Sequence, residues 1–367
     1  VTFVHQHGTV YGFYWAAQST ITGLLNLAGS YEVAALGWRW YYWVYAIAVG
    51  LGLILMALFG FETKYQRSGQ FLNGRLVVTD QFGVTRMLTE HETQEYLETQ
   101  GHPGRDDHIP EELRPKKTYL QMLIPWSSPT ESPWTLIPRT TFQIFEAFIS
   151  PGILYATLVS SVVLGASIGM SLSYNTVLQY NYGWAPKSIG LINLGGVFGG
   201  FGGMLYAGFF GDKFILWMAK RNGGVHTPEH RLPLLIFPGV LGVVGLLLYG
   251  LTANGSATWG GPYMGWTLFQ ITFVSVLILL TSFAAEAWEK NPGPAIVAVV
   301  GVKNIVAFGL SYGINPMVHM YDYPVAMGIL AAICGGVFLL GVPVYFLNPR
   351  VSSLVDISFM ALGTDFR

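Results

Sequence analysis

Charge is scarce in this sequence. Lys, Arg, Asp and Glu make up 11% of its 367 residues, against about 25% in an ordinary globular chain. The shortage is uneven: 20 of the 39 charges fall in the 78 residues from Glu62 to Arg139, and the other 289 residues share 19. No soluble fold covers its surface with so few charged side chains. Cysteine is nearly absent too, and the single Cys334 excludes an internal disulfide framework. A net charge of −1 gives no basic face for a nucleic-acid partner. The abundant residues are 45 Gly and 11 Trp, types frequent in membrane helices and at their interfaces. These quantities describe an integral membrane protein.

A bilayer core about 30 Å thick takes roughly 20 apolar residues in helical form. Charge-poor runs of that size follow one another: Tyr11–Tyr31, Trp40–Phe61, Ala147 to about Ser173, Ser188–Gly211, two within Leu232–Ala285, Pro294–Pro316 and Tyr323–Pro349. The pair within Leu232–Ala285 divides at Thr252–Pro262, where Asn, Gly, Ser and Pro cluster. The runs are continuously apolar rather than alternating, which predicts helices and an all-α bundle instead of a barrel. After Ser173 the Asn- and Tyr-rich stretch reads as a loop, and His319 and Asp322 fall in a short outer loop.

Basic residues orient the eight predicted spans. One set of loops and ends carries sixteen of the nineteen Lys and Arg, and the opposite set holds only Arg39 and Lys187. The positive-inside rule makes the first set cytoplasmic. Asn254, in the sequon Asn254-Gly255-Ser256, then falls outside, where it is a glycosylation candidate. Between the second and third spans, Glu62–Thr141 carries seven prolines and a short helix-like acidic run, Thr89–Gln100. It reads as a cytoplasmic linker with local structure rather than a packed domain.

Several short motifs carry a resemblance. Gly208-Phe209-Phe210-Gly211-Asp212-Lys213 resembles the G-x-x-x-D-K/R loop between the eighth and ninth helices of the major facilitator superfamily. Leu36-Gly37-Trp38-Arg39-Trp40 and Trp43 are similar to the junction of helices five and six in its fungal members. Phe61-Glu62-Thr63-Lys64-Tyr65 resembles the P-E-T-[KR]-[YF] segment closing helix six, with Phe61 in place of Pro. Arg221-Asn222-Gly223-Gly224-Val225 through Pro228-Glu229-His230-Arg231-Leu232 resembles a loop of the fungal drug:proton-antiporter-like branch. His5-Gln6-His7-Gly8 stands where that branch has H-x-R-G, and its helix-five antiporter motif is not evident in Thr22–Gly29.

The resemblance implies a twelve-helix plan in which the first four helices lie outside this chain. Residues 1–61 would be the last two helices of an N-terminal six-helix bundle, 62–143 the cytoplasmic central loop, 144–347 the C-terminal bundle and 348–367 a cytoplasmic tail. It also implies secondary active transport of a small organic solute by alternating access, coupled to protons, in the plasma or vacuolar membrane. A fragment that does not transport is one alternative and a membrane-embedded enzyme another. Asp212, framed by Gly208 and Gly211 and followed by Lys213, would latch the outward-facing state.

Ionisable groups at membrane depth cost about 2.5–3.5 kcal/mol or more at a helix centre, so they mark function by default. Lys303, followed by Asn304, is the deepest; Glu286 and Glu146 lie near span ends, and Glu286 is a candidate partner for Lys303. Gln270 and Asn175 are polar candidates for a substrate site, with Thr281 and Ser282 on the same span as Gln270. Gly195, Gly196, Gly199, Gly200, Gly202 and Gly203 crowd one span at spacings that let helices approach closely. His91, His102, Asp106, Asp107 and His108 match no ligand spacing, so neither a metal nor a cofactor is expected.

Overall fold

A computed structural model of the chain describes residues 7–60, 70–72, 75–79, 85–87, 133–223, 227–255, 258–287 and 292–348. Two units divide the chain, one of residues 43–133 and the other of residues 2–42 with 134–367.

The first unit takes most of α2 (Trp38–Phe59), 22 residues of which none is buried. At 1.5 Å per residue such a helix is about 33 Å long, enough to cross hydrocarbon. The unit also holds β1 (Gln70–Leu72), β2 (Arg75–Thr79) and β3 (Thr85–Met87), an antiparallel meander. Phe71 pairs with Leu76 and Val78 with Arg86. The long segments are helical, and these three short strands are local structure in the linker, where Val77, Val78, Thr79 and Thr85 are β-branched residues that favour a pleated strand. The acidic run Thr89–Gln100 and the histidines of the linker lie outside the described residues.

The second unit is helical among the described residues. It comprises α1 (His7–Leu36), α3 (Pro133–Ala147), α4 (Pro151–Thr176), α5 (Pro186–Arg221), α6 (Pro228–Thr252), α7 (Gly260–Ala287) and α8 (Pro292–Leu339). Six helical segments are long and apolar enough to cross a membrane: α2, α4 with its extension to Asn181, α5, α6, α7, and the 56 residues Gly293–Asn348. Helix α1 is 30 residues long but falls outside that set, because Gln18, Ser19, Thr20, Asn26 and Glu32 dilute its apolar character.

Helix α8 is two helices joined at Asp322, whose φ of 62° and ψ of 168° break the helical path. Side-chain contacts show the reversal. Gly165 and Gly169 of α4 meet Leu310 and Ile314 in the same chain direction, whereas Gly152 and Tyr155 meet Asn348 and Gly341 in the opposite one. His319 therefore sits in helix, and the expected outer loop shrinks to the turn at Asp322.

Two further expectations change. The stretch after Ser173 is not a loop: α4 runs on to Thr176 and continues as a wide helical turn, Val177–Asn181. Asn181 Nδ2 donates to Ala253 O at 2.7 Å and the Tyr182 hydroxyl to Thr252 O, so these polar side chains tie the helix end to the α6–α7 turn. Secondly, the third span does not begin at Ala147. Residues Pro133–Ala147 form their own helix, and Ser150 and Pro151 start α4 separately. On α3, the exposed Trp134, Ile137, Phe142 and Phe145 recur at helical spacing along one side, as in helices that lie in a membrane interface.

Helices α4 and α7 form the centre, with 78% of each span window buried. Helix α5 packs between α7 and α1. That arrangement decides what its glycines do. A Cβ at Gly195, Gly199 or Gly203 would strike Thr267, Gln270 or Val274 of α7, while one at Gly200 would press on Ala16 and Ser19 of α1. The glycine-rich span is a two-sided packing surface, as its spacing predicted.

Candidate functional site: an ion cluster at the start of α1

Helices α1 and α5 run antiparallel along nearly their whole lengths. Gly12 meets Gly208, Ser19 Oγ donates to Gly196 O at 2.9 Å, and Gly23 meets Asn193. At the far end, Ser30 Oγ donates to Lys187 O at 3.2 Å. The near end is held very differently. Asp212 accepts from Gly8 N at 3.1 Å, from Thr9 N at 2.8 Å and from Thr9 Oγ1 at 2.6 Å. The first backbone N–H groups of a helix lack intrahelical acceptors and carry its positive dipole end. A carboxylate from another helix fills both needs at once. Gly8 is required here, since a Cβ would collide with the Asp212 carboxylate.

Behind Asp212 lies a buried guanidinium. Arg231, 1% exposed, donates through Nε and Nη2 to Glu286 Oε2 and Oε1 at 2.7 and 2.5 Å. Its Nη1 is 3.9 Å from Asp212 Oδ1, and His7 Nδ1 is 3.4 Å from Glu286 Oε1. Two carboxylates thus converge on one guanidinium, with the dipole end of α1 supplying further positive potential. The 3-10 start of α6, opened by Thr227 and Pro228, turns Arg231 inward rather than into water. Two residues earlier, Glu229 Oε1 accepts from Asn348 Nδ2 at 2.8 Å. Asn348 Oδ1 in turn accepts from Gly152 N at 2.8 Å and Ser150 Oγ at 3.2 Å. This second clamp joins α4, α6 and the end of α8.

The other predicted residues scatter. Glu286 is buried, but Arg231 and His7 are its partners rather than Lys303. Lys303 is buried on α8, with its Nζ 4.9 Å from the centre of the Trp15 ring of α1. Gln270 is buried on α7 and donates to Ser167 Oγ at 3.4 Å; Ser282 is buried about three turns further along the same helix, with no hydrogen-bond partner among the described residues. Asn304 is exposed and donates back to Val300 O, and Asn175 is exposed near the end of α4. Glu146 is half-buried at the end of α3, away from any span interior. Gly208 sits in the wide helical stretch Met204–Phe210, Gly211 begins the regular helical turn that carries Asp212, and Lys213 is exposed. Asn254 is exposed in the α6–α7 turn, as a glycosylation acceptor must be. A cavity of about 460 Å3 between α4, α6 and the end of α8 is lined by Tyr155, Val240, Phe338 and Tyr345 and holds none of these candidates. Among the described residues no group of three His, Cys, Asp or Glu could hold a metal ion.

Arg231, Glu229, Asn348 and Trp15 are the residues that sequence reasoning missed. Arg231 and Glu229 stood inside a recognised motif, but nothing local distinguishes them from the other loop charges.

Residues 2–302 match the Major Facilitator Superfamily. The chain belongs to this family of membrane transporters, which are not enzymes. It is a multi-pass integral membrane protein. It is 27% identical to an uncharacterised MFS-type transporter of Schizosaccharomyces pombe, over 83% of this chain and 55% of that protein. The MFS-type transporter penM of Penicillium rubens is 25% identical over 78% of this chain and 51% of its own length. The efflux pump radE of Floropilus chiversii is 22% identical over 96% of this chain and 59% of its own. The chain thus spans a little over half the length of these relatives. No solved structure matches.

Proposed function

We propose that this chain is the greater part of a secondary active transporter that exports a small organic solute by alternating access. It would work by residues 1–61, as part of an N-terminal bundle, moving against the C-terminal bundle 144–347. The carrying observation is the asymmetry of the α1–α5 seam. One end is held by three hydrogen bonds to a carboxylate and a buried ion cluster, the other by one hydroxyl–carbonyl bond. Hydrogen bonds to a charged group contribute about 1.5–3 kcal/mol each, against about 1 kcal/mol for neutral pairs. The Asp212 end belongs to the side that collects Lys and Arg, so the cytoplasmic side closes firmly and the outer side parts more easily.

Proton coupling follows from the same cluster. Protonation of Glu286 would remove the charge that holds Arg231 and His7, and a gradient that protonates it from one side would bias the rocking. The family membership and the two relatives named as a transporter and an efflux pump support export; the plasma membrane, or a vacuolar one, is the setting this requires. The experiment is solute flux in proteoliposomes carrying the complete protein under an imposed pH gradient. Flux that follows the gradient supports the reading, and flux indifferent to it removes proton coupling. A second reading, that these residues alone do not transport, rests on the span of just over half the relatives' length. Transport by the isolated 367 residues at the complete protein's rate would exclude it.

A further inference from the structure

Lys303 lies eleven residues past Pro292, the start of its helix. At 1.5 Å per residue that is about 17 Å, the middle of a hydrocarbon layer about 30 Å thick. The side chain is 5% exposed. Every other buried cation among the described residues is paired, as Arg231 is with Glu286; Lys303 makes no ion pair or hydrogen bond there, and its charged end rests on the Trp15 ring at 4.9 Å. A ring face attracts a cation but does not replace a counter-ion. Trp15 repeats the pattern. Its indole Nε1 is buried and has no acceptor. Two donors, one charged, thus touch each other at mid-membrane depth with no acceptor between them.

Helix α1 packs closely along α5 and α7, and no comparable packing joins it to α8. Buried donors without acceptors are uncommon in folded proteins, because each forfeits its interaction with water. An acid group of a solute placed between Lys303 and Trp15 would satisfy both donors.

We propose that Lys303 and Trp15 form an anion-binding subsite, and that the transported solute carries a carboxylate or an equally acidic oxygen. The ammonium neutralises the acid group, the indole N–H donates to it, and the ring faces the solute's apolar body. The inference rests on the transport reading above and adds the charge of the cargo. It also explains why Asn304, the neighbouring polar candidate, plays no part: it faces away and bonds its own helix.

The test is thermal unfolding of the complete protein with benzoate or with benzamide, which has the same ring and no charge at neutral pH. Benzoate raises the midpoint and benzamide leaves it unchanged. Lys303→Met abolishes the benzoate effect and, by removing an unpaired buried charge, raises the midpoint of the unliganded protein. Trp15→Phe keeps the ring and loses the N–H, weakening benzoate severalfold. It also stands in for Lys303→Met should that variant not fold. Equal stabilisation by acid and amide, no stabilisation by benzoate, or an undiminished benzoate effect in Lys303→Met would each overturn the proposal. Gradient-driven flux of a neutral solute through Lys303→Met would leave transport intact while removing the anion subsite. Benzoate binding without flux of any solute would do the reverse.

Discussion

Asp212 accepts both the backbone N–H and the hydroxyl of Thr9, a residue 203 positions earlier in the chain. This contact makes that end of the α1–α5 seam a charged helix cap supplied by another helix. Asp212→Asn keeps the shape and loses the charge. With about 1.5–3 kcal/mol per charge-assisted bond, against about 1 kcal/mol for a neutral one, it should shift the closed-to-open balance roughly tenfold or more. Alkylation of a cysteine placed at Ala16, buried on α1 against α5, should accelerate by about that factor when Asp212→Asn is added. Ser30→Ala, at the other end, should change it little, because it removes one 3.2 Å neutral bond.

Arg231 and Glu286 should be strongly non-additive. Removing either alone strands a buried charge, at a cost of about 3–5 kcal/mol, whereas replacing both with apolar residues of similar size is often near neutral. Thermal unfolding of Arg231→Met, Glu286→Leu and the double variant should show two large losses and a substantial recovery. Equal and additive losses would mean that the pair is not the unit described.

The glycines of α5 should divide by what faces them. Gly199→Ala puts a methyl 2.5 Å from Gln270 Cβ and 2.8 Å from its backbone carbon, so α7 must shift. Overpacking of this kind typically costs about 1–3 kcal/mol. Gly196→Ala meets nothing within 4 Å and should be tolerated despite lying in the same run. Unfolding midpoints of the two variants distinguish this from a seam that needs every glycine.

Much of this was legible in the sequence because membrane helices are written as composition. The spans and the packing glycines follow from runs and spacings a few residues long, and Asp212 was singled out by its resemblance to a short family motif. Arg231 was not legible, because its partner lies 55 positions away and in the sequence it is one loop cation among many. Its burial comes from the 3-10 start of α6, which no local pattern announces. Asn348 was assigned to the tail for a similar reason: it follows a long apolar run, and only the fold brings Gly152 and Glu229 to it. The small sheet was missed because prolines elsewhere in the linker outweighed a few β-branched residues. The extension of α4 was missed because polar Asn and Tyr read as loop, when in the structure they bond across to the next turn.

Helix α3 should bind membranes on its own. Its exposed Trp134, Ile137, Phe142 and Phe145 have no protein to cover them among the described residues. A peptide of residues 133–147 should gain helical circular dichroism on addition of phospholipid vesicles, and Trp134→Ala with Phe142→Ala should abolish the gain.

The distance between the ends of α1 and α5 tests the central claim most directly. Spin labels at Val10 and Trp217, both exposed, would report it by double electron–electron resonance in the complete protein. The account expects a single short distance in the wild type and a second, longer population when Asp212→Asn is introduced. The same single distance in both proteins would show that Asp212 does not hold this end of the seam closed.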